Sequence, residues 1–231
     1  MAKQEEKVLL TEVASKQLLK DAGIPVIETV LARTKREAID LAGEMGFPVA
    51  MKIVSPDVPH KTDAGGVRLG LTSAARVGDA YSEMLSSVRG HVPGAVIEGV
   101  SIQKMAPPGV EIIIGMSRDA QFGPVIMFGL GGVLVEVLKD VSFRLVPVAP
   151  RDAAEMVREI KGYALLTGYR GQEPVDIPAL ERIIVAVSDF IEANPRVSEL
   201  DLNPLIASGD GIVAVDARII MDDEPPVNSR R

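Results

Sequence analysis

The stretch Val49–Val67, VAMKIVSPDVPHKTDAGGV, decides how the rest of the chain is read. Its first six residues, Val49 to Val54, form a short apolar run of the length of a buried strand, interrupted only by Lys52. An ammonium among apolar neighbours is costly unless it reaches water or an anion. A nucleotide phosphate would be such an anion, and a lysine snorkelling to the sheet edge would satisfy the same demand. The strand leads into SPDVPHKTDAGG, where His60 and Lys61 precede Gly65 and Gly66. Imidazole can act as nucleophile, base or donor near neutral pH, and glycines let backbone amides turn toward a phosphate. Pro56 and Pro59 before the histidine, with the glycines after it, predict a stiff arm on a flexible base. The same letters also fit a solvated surface turn.

Helical and strand-like segments alternate around this stretch, which predicts an α/β lobe. Thr11 to Ala22 reads as a helix with Val13, Leu18, Leu19 and Ala22 on one side and Gly23 as its stop. A strand comes next over Val26 to Leu31. Thr34 and Glu37 then have the spacing of a capping box for a helix ending near Gly46. After a strand at Val67 to Leu71, Ser73 caps a helix running to about Arg89, closed by Gly90. His91 reads as a cap or solvated turn residue.

From Gly94 the pattern changes to successive β-rich segments broken by Pro and Gly: AVIEGVSIQKM, GVEIIIGMSRD, PVIMFGLGG and SFRLVPV. They predict a mostly antiparallel sheet. Helices over about Arg151 to Lys161 and Asp176 to Glu192 precede two last strands, SELDLNPLIA and GIVAVDARII, joined as a hairpin by Ser-Gly-Asp-Gly. That hairpin would bring Asp201, Asn203 and Asp216 near each other. The expected division is a first lobe over 1–100, a second over 101–221 and a loose polar tail over 222–231.

Composition narrows the function classes. With 231 residues, 47% hydrophobic and 25% charged, the chain has the balance of a folded globular protein. A net charge of −7 and only 3% aromatic residues speak against a nucleic-acid surface. Cysteine is absent, which removes disulfides and thiol chemistry and fits a reducing interior. No apolar run approaches the roughly 20 residues that span a bilayer, so no membrane contact and a cytoplasmic setting are expected.

Among the later residues, Asp201 and Asn203 alternate with Leu200, Leu202 and Leu205, so their side chains share one face of a strand. Hard oxygen ligands of this kind, with Asp216, suit Mg²⁺, although Asp and Asn at a strand end also form turns. Gly131 and Gly132, in the bend FGLGG, could cover phosphates as a flap or mark an ordinary bulge. Gln103, Lys104, Met105 and Glu111 flank the Pro107-Pro108 pair, which would suit a hinge whose backbone reads an adenine edge, although solvent-facing strand residues are the ordinary reading of such positions.

In this order, KIVSPDVPHKTDAGGV, QKM, GVE, FGLGGVLVEVLKDVSFRLVPV, ELDLNPL and AVDAR resemble the ATP-grasp superfamily, and within it the β subunits of ADP-forming acetyl-CoA synthetases, relatives of succinyl-CoA synthetase. The resemblance runs from about Leu10 to Met221. It implies an α/β (α+β) ATP-grasp fold of two subdomains enclosing ATP or ADP with Mg²⁺. The implied reaction converts acyl-CoA, ADP and phosphate to acid, CoA and ATP. A CoA-binding α subunit, as α2β2, would form an acyl phosphate, and a histidine matching His60 would relay the phosphoryl group to ADP. By the same match Lys52 contacts nucleotide phosphates, Gln103, Lys104 and Met105 line the adenine pocket, and Glu111 lies near ribose or phosphate. Asp201, Asn203 and Asp216 would hold Mg²⁺, with Asp201 also orienting phosphorylated His60. Two other functions stay open at this point: an ATP-grasp ligase that forms an acyl phosphate directly, and a nucleotide-sensing subunit without turnover.

Overall fold

The computed structural model describes residues 7–58, 61–132, 139–171 and 173–222. The chain forms two compact bodies. The smaller comprises Thr11–Ala14 and Ile27–Ala106, and the larger comprises Met1–Leu10, Ser15–Val26 and Pro107–Arg231. This division differs from a single cut near residue 100, because Ser15–Val26 and the segment before Thr11 belong to the larger body. The physical reason is pairing: strand β1 (Lys7–Leu9) lies antiparallel to the last strand, β11 (Arg218–Asp222).

In the smaller body, strands β2 (Thr29–Ala32), β3 (Val49–Val54), β4 (Val67–Leu71) and β5 (Gly99–Lys104) form an antiparallel sheet in the order β2-β5-β3-β4. Helices α2 (Lys35–Met45) and α3 (Ala74–His91) cover one face. The cap of α2 forms half of the predicted capping box: Thr34 Oγ1 accepts the Glu37 N–H at 3.2 Å, while Glu37 Oε2 accepts the N–H of Arg33, the residue before the cap, at 2.7 Å. Ser73 likewise accepts the Arg76 N–H. Helix α3 runs through Gly90 to His91, whose ring nitrogen Nδ1 lies 2.8 Å from the Ser87 carbonyl.

Period two along the strands sorts their residues. Val49, Met51 and Ile53 of β3, with Val100 and Ile102 of β5, pack against Ala38, Ala42, Val77, Ala80, Met84 and Val88 of the helices. Each large side chain so buried contributes roughly 1.5–3 kcal/mol. The opposite face carries Lys52 across from Ser101 and Ala50 across from Gln103.

The larger body holds a seven-stranded antiparallel sheet made of β1, β6 (Val110–Asp119), β7 (Gly123–Leu130), β8 (Val141–Leu145), β9 (Val197–Ser208), β10 (Gly211–Ala214) and β11. Its order is β1-β11-β9-β6-β7-β8, with β10 also paired to β9. Ile112, Ile114, Phe128, Leu130, Leu200 and Leu202 of this sheet share a core with Met156 and Val157 of α4 (Pro150–Glu159) and with Leu180, Ile184 and Val187 of α6 (Ile177–Ala193). Helix α1 (Glu12–Asp21) brings Leu19 into the same core. Between α4 and α6, the short helix α5 (Tyr163–Leu166) and a 3-10 turn at Tyr169–Gly171 occupy a stretch with no predicted element.

The last expected strand, GIVAVDARII, is two strands. Residues Gly211–Ala214 close a hairpin on Leu205–Ser208, and the chain then breaks so that Arg218 pairs with Asp201 further along β9. At the break the Val215 N–H donates to the Pro204 carbonyl at 2.9 Å. No helix among the described residues is long and apolar enough to cross a membrane.

Candidate functional site

Each body carries its own cluster of candidate residues. In the smaller one, the polar face of the sheet is organised by Glu12, a residue that belongs to none of the motifs above. Thr11 caps α1, its Oγ1 accepting the Ala14 N–H at 3.3 Å, and this places Glu12 in the first turn. Glu12 Oε1 accepts from Lys52 Nζ at 2.9 Å, with both side chains under a tenth exposed, and Glu12 Oε2 accepts from Lys61 Nζ at 3.4 Å. Lys52 is thus buried and ion-paired; it does not snorkel to the edge. An acidic residue in a first helical turn reads ordinarily as a complement to the helix dipole, so its role on the sheet has no signal in the letters alone.

Beside the lysine, Gln103 is buried and its Oε1 accepts from the Thr29 hydroxyl at 3.2 Å. Ser101, also buried, donates to the Lys52 carbonyl. The next two residues behave differently: Lys104 is exposed, and Met105 is 37% exposed with its sulfur accepting the Gly70 N–H at 3.4 Å. Gln103 therefore belongs to the polar face through its side chain, whereas Lys104 points away from it by strand alternation.

Pro59 and His60 lie outside the described residues. The chain before them is anchored by Val58, 2% exposed in the core, and the chain after them by Lys61. The two glycines close a turn and do not offer free amides to a phosphate: Gly65 N–H donates to the Thr62 carbonyl at 3.0 Å and Gly66 N–H to the Lys61 carbonyl at 2.6 Å. Nor do they form a flexible base. A Cβ on Gly66 would stand 2.5 Å from Ile53 Cγ2, and one on Gly65, which has φ +69°, would stand 2.5 Å from Ser87 Oγ. Close packing against β3 and α3 requires glycine at both positions.

In the larger body, β9 presents Asp201 and Asn203 on the face opposite the core, with Asn203 exposed. Asp201 pairs across the ladder with Gly115 of β6 on one side and Arg218 of β11 on the other. Burial, and then the nearby charge of Asp216, push the Asp201 carboxyl above the ordinary aspartate range, while Arg218 pulls it back. Asp216 occupies the break between β10 and β11, and its Oδ1 accepts the Ala217 N–H at 2.9 Å. Hence the structure brings Asp201 and Asp216 into electrostatic contact, and it adds Arg218. Among the described residues no group of three or more His, Cys, Asp or Glu side chains stands ready to hold a metal ion. A carboxylate pair with one neutral oxygen donor suits Mg²⁺, which keeps several waters and phosphate oxygens in its shell.

Glu111 opens β6, and its carbonyl accepts the Gly131 N–H at 2.7 Å. Gly132 has φ +61°, and a Cβ there would approach Glu111 Oε2 to 2.7 Å. The two glycines of the bend thus seat the Glu111 carboxylate. The expected flap continues into 133–138, which lie outside the described residues.

A four-stranded antiparallel body with a buried lysine, and a second antiparallel body with a carboxylate pair on the sheet face opposite its core, define an α+β protein of two sheet-and-helix bodies. The chain belongs to the ATP-grasp domain family, whose model matches residues 1–221. Within that family it is 48% identical over 220 residues to the β subunit of acetate–CoA ligase [ADP-forming] I of Pyrococcus furiosus, covering 95% of this chain and 94% of that one. It is 49% identical to acetate–CoA ligase [ADP-forming] I of Archaeoglobus fulgidus, covering 90% of this chain but only 30% of that longer protein. Among solved structures, acetyl-coenzyme A synthetase 1 of Candidatus Korarchaeum cryptofilum with coenzyme A and Ca-AMPCP superposes with a TM-score of 0.90 at 50% identity, over 92% of this chain and 93% of that one. The same enzyme with coenzyme A and Mg-AMPPCP, its phosphohistidine segment pointing towards the nucleotide site, superposes with a TM-score of 0.82 at 46% identity, over 92% of each chain.

Proposed function

We infer that this chain is the nucleotide-handling β subunit of an ADP-forming acyl-CoA synthetase, which passes a phosphoryl group through His60 to ADP. The observation that carries the reading is the buried Lys52, held on the polar sheet face by a carboxylate shared with Lys61, the residue next to His60. The near-complete coverage of a separate β subunit supports it. The work is phosphoryl transfer, which needs positioning and charge neutralisation more than covalent machinery.

In the direction of ATP formation, a CoA-binding partner converts acyl-CoA and phosphate to an acyl phosphate and free CoA, and a histidine of that partner takes the phosphoryl group and releases the acid. His60 accepts the group. A terminal oxygen of the ADP β-phosphate then attacks phosphorus, the P–N bond to His60 breaks, and ATP forms. Lys52 neutralises phosphate charge, and the Gln103 face with Met105 receives the adenine side. Glu111, seated by Gly131 and Gly132, lies toward ribose or phosphate. Asp201, Asn203 and Asp216 would hold Mg²⁺, and Asp201 also orients the phosphorylated imidazole. Bound there, Mg²⁺ would screen the charge that develops between nucleotide phosphates and the transferred group. The partner is a separate α subunit in an α2β2 assembly, and the setting is the cytoplasm; the cysteine-free composition agrees with a reducing compartment.

The test is incubation of the α-β complex with [γ-³²P]ATP and Mg²⁺, followed by an ADP-dependent ATP assay. Acid-labile, base-stable label on this chain, absent in His60→Ala, is expected. Absence of label together with an intact ATP assay would rule out the relay.

A further inference from the structure

Glu12 serves two lysines with separate oxygens, Lys52 through Oε1 at 2.9 Å and Lys61 through Oε2 at 3.4 Å, and its own side chain is 3% exposed. Lys61 is fixed from the other direction as well. Its carbonyl accepts the Gly66 N–H, and the Gly66 carbonyl accepts the N–H of Ile53, the strand neighbour of Lys52. The residue after His60 is therefore tied to β3 twice, once through backbone and once through the Glu12 carboxylate. Stability alone gives little reason for this arrangement. Charges taken out of water lose much of their solvation, and well-packed apolar side chains of similar volume commonly replace such groups without loss.

We propose that Glu12 is a positioning residue for phosphoryl transfer. It holds the ammoniums of Lys52 and Lys61 side by side before any phosphate arrives, so that both meet the oxygens of the transferred group without searching for their place. The ligand it prepares for is a phosphoryl group, borne either by the nucleotide or by His60, and the proposal rests on the relay reading above. Phosphate oxygens compete with the carboxylate for the same two ammoniums, so each lysine exchanges one anion for another over a short distance. Glu12 itself need not touch the nucleotide, and its effect therefore falls on the transfer step more than on ADP binding.

The complex with the CoA-binding partner is prepared carrying Glu12→Gln, Glu12→Asp or Lys61→Met. Two rates are read: ADP-dependent ATP formation, and the appearance of acid-labile label on this chain from [γ-³²P]ATP. Glu12→Gln is expected to lower kcat and the labelling rate about 10- to 100-fold, the cost of misplacing groups by about an ångström, while KM for ADP stays within about three-fold. Glu12→Asp, which keeps the carboxylate, recovers part of the rate. Lys61→Met, at a side chain one quarter exposed, lowers labelling by the same order without a fall in Tm. Glu12→Gln labelling within about two-fold of wild type overturns the proposal, as does an equal loss in kcat and in affinity for ADP. If Glu12→Gln fails to fold, Lys61→Met decides alone, and labelling within about two-fold of wild type overturns the proposal. Wild-type complex that makes ATP without ever carrying acid-labile label overturns the relay reading, and this inference with it; wild type and Glu12→Gln labelling alike overturns the inference only.

Discussion

Lys52→Met tests whether the buried ion pair is a device the fold tolerates or one that it depends on. At 2.9 Å the charges of Lys52 and Glu12 attract by about 6 kcal/mol in an effective dielectric of about 20. Desolvation of both groups, several kcal/mol per ion by order of magnitude, offsets most of that. The pair as a unit therefore contributes little, but each partner left alone is expensive. Lys52→Met leaves Glu12 still facing Lys61 at 3.4 Å, so its expected cost sits at the low end of the range for a broken buried pair, about 3 kcal/mol. Glu12→Met instead leaves two lysines facing the vacated carboxylate position, and the high end, about 5 kcal/mol, is expected. The double variant Lys52→Met with Glu12→Met exchanges the pair for apolar volume and should return to within about 1 kcal/mol of wild type. In a chain of this size 1 kcal/mol moves Tm by roughly 2–4 °C, so Lys52→Met should melt about 6–12 °C lower. Urea titration and thermal melts followed by circular dichroism at neutral pH measure all three. Single variants within about 1 kcal/mol of wild type, or a double variant worse than both, would refute the account of a desolvated pair.

Three further outcomes concern Asp201 and Gly132. Asp201 has a carboxyl raised in the fold, so its ionised form is disfavoured there; the stability it contributes is present at low pH and is lost as pH rises through the raised value. Asp201→Asn should therefore melt higher than wild type near neutrality without divalent cation. The gap should close as pH falls toward the ordinary aspartate value of 3.8, and melting curves from about pH 4 to pH 8 check it. The same variant should lose the thermal stabilisation that Mg²⁺ with ADP gives wild type, which at a hundred-fold excess over Kd is about 2.7 kcal/mol. Gly132→Ala places a methyl against Glu111 Oε2 in a backbone with φ +61°, whereas Gly94→Ala meets a comparable φ of +90° with open space around it. Both should lose roughly 1–2 kcal/mol of stability, but only Gly132→Ala should raise KM for ADP, because only it displaces the carboxylate.

Legibility followed locality. The α2 cap, the β3 strand with its single lysine, and the alternation that puts Asp201 and Asn203 on one face depend on neighbours within a few residues, and periodicity records such neighbours. Gly65 and Gly66 read in the sequence as a flexible pair facing a phosphate, and not as packing partners of Ile53 and Ser87, since those contacts form only when the chain returns on itself. The break that makes β10 and β11 separate strands was hidden for a similar reason: GIVAVDARII alternates well enough for one strand, and the competing register against Asp201 lies on β9.

Sequence by itself determined most of the elements, the chemistry placed on each, and through the ordered segments the family to which they belong. Tertiary structure alone decided which charges meet. Glu12 and Lys52 are separated by 40 residues, and Asp201 is tuned by Arg218 of the neighbouring strand and by Asp216 in the break before it. Helix and strand periods carry no information about a contact between distant elements, and the strength of a charge there depends on the water that folding removes. Lys52 read as a lysine in need of an anion. The fold supplies Glu12, shared with Lys61, as the one that waits there.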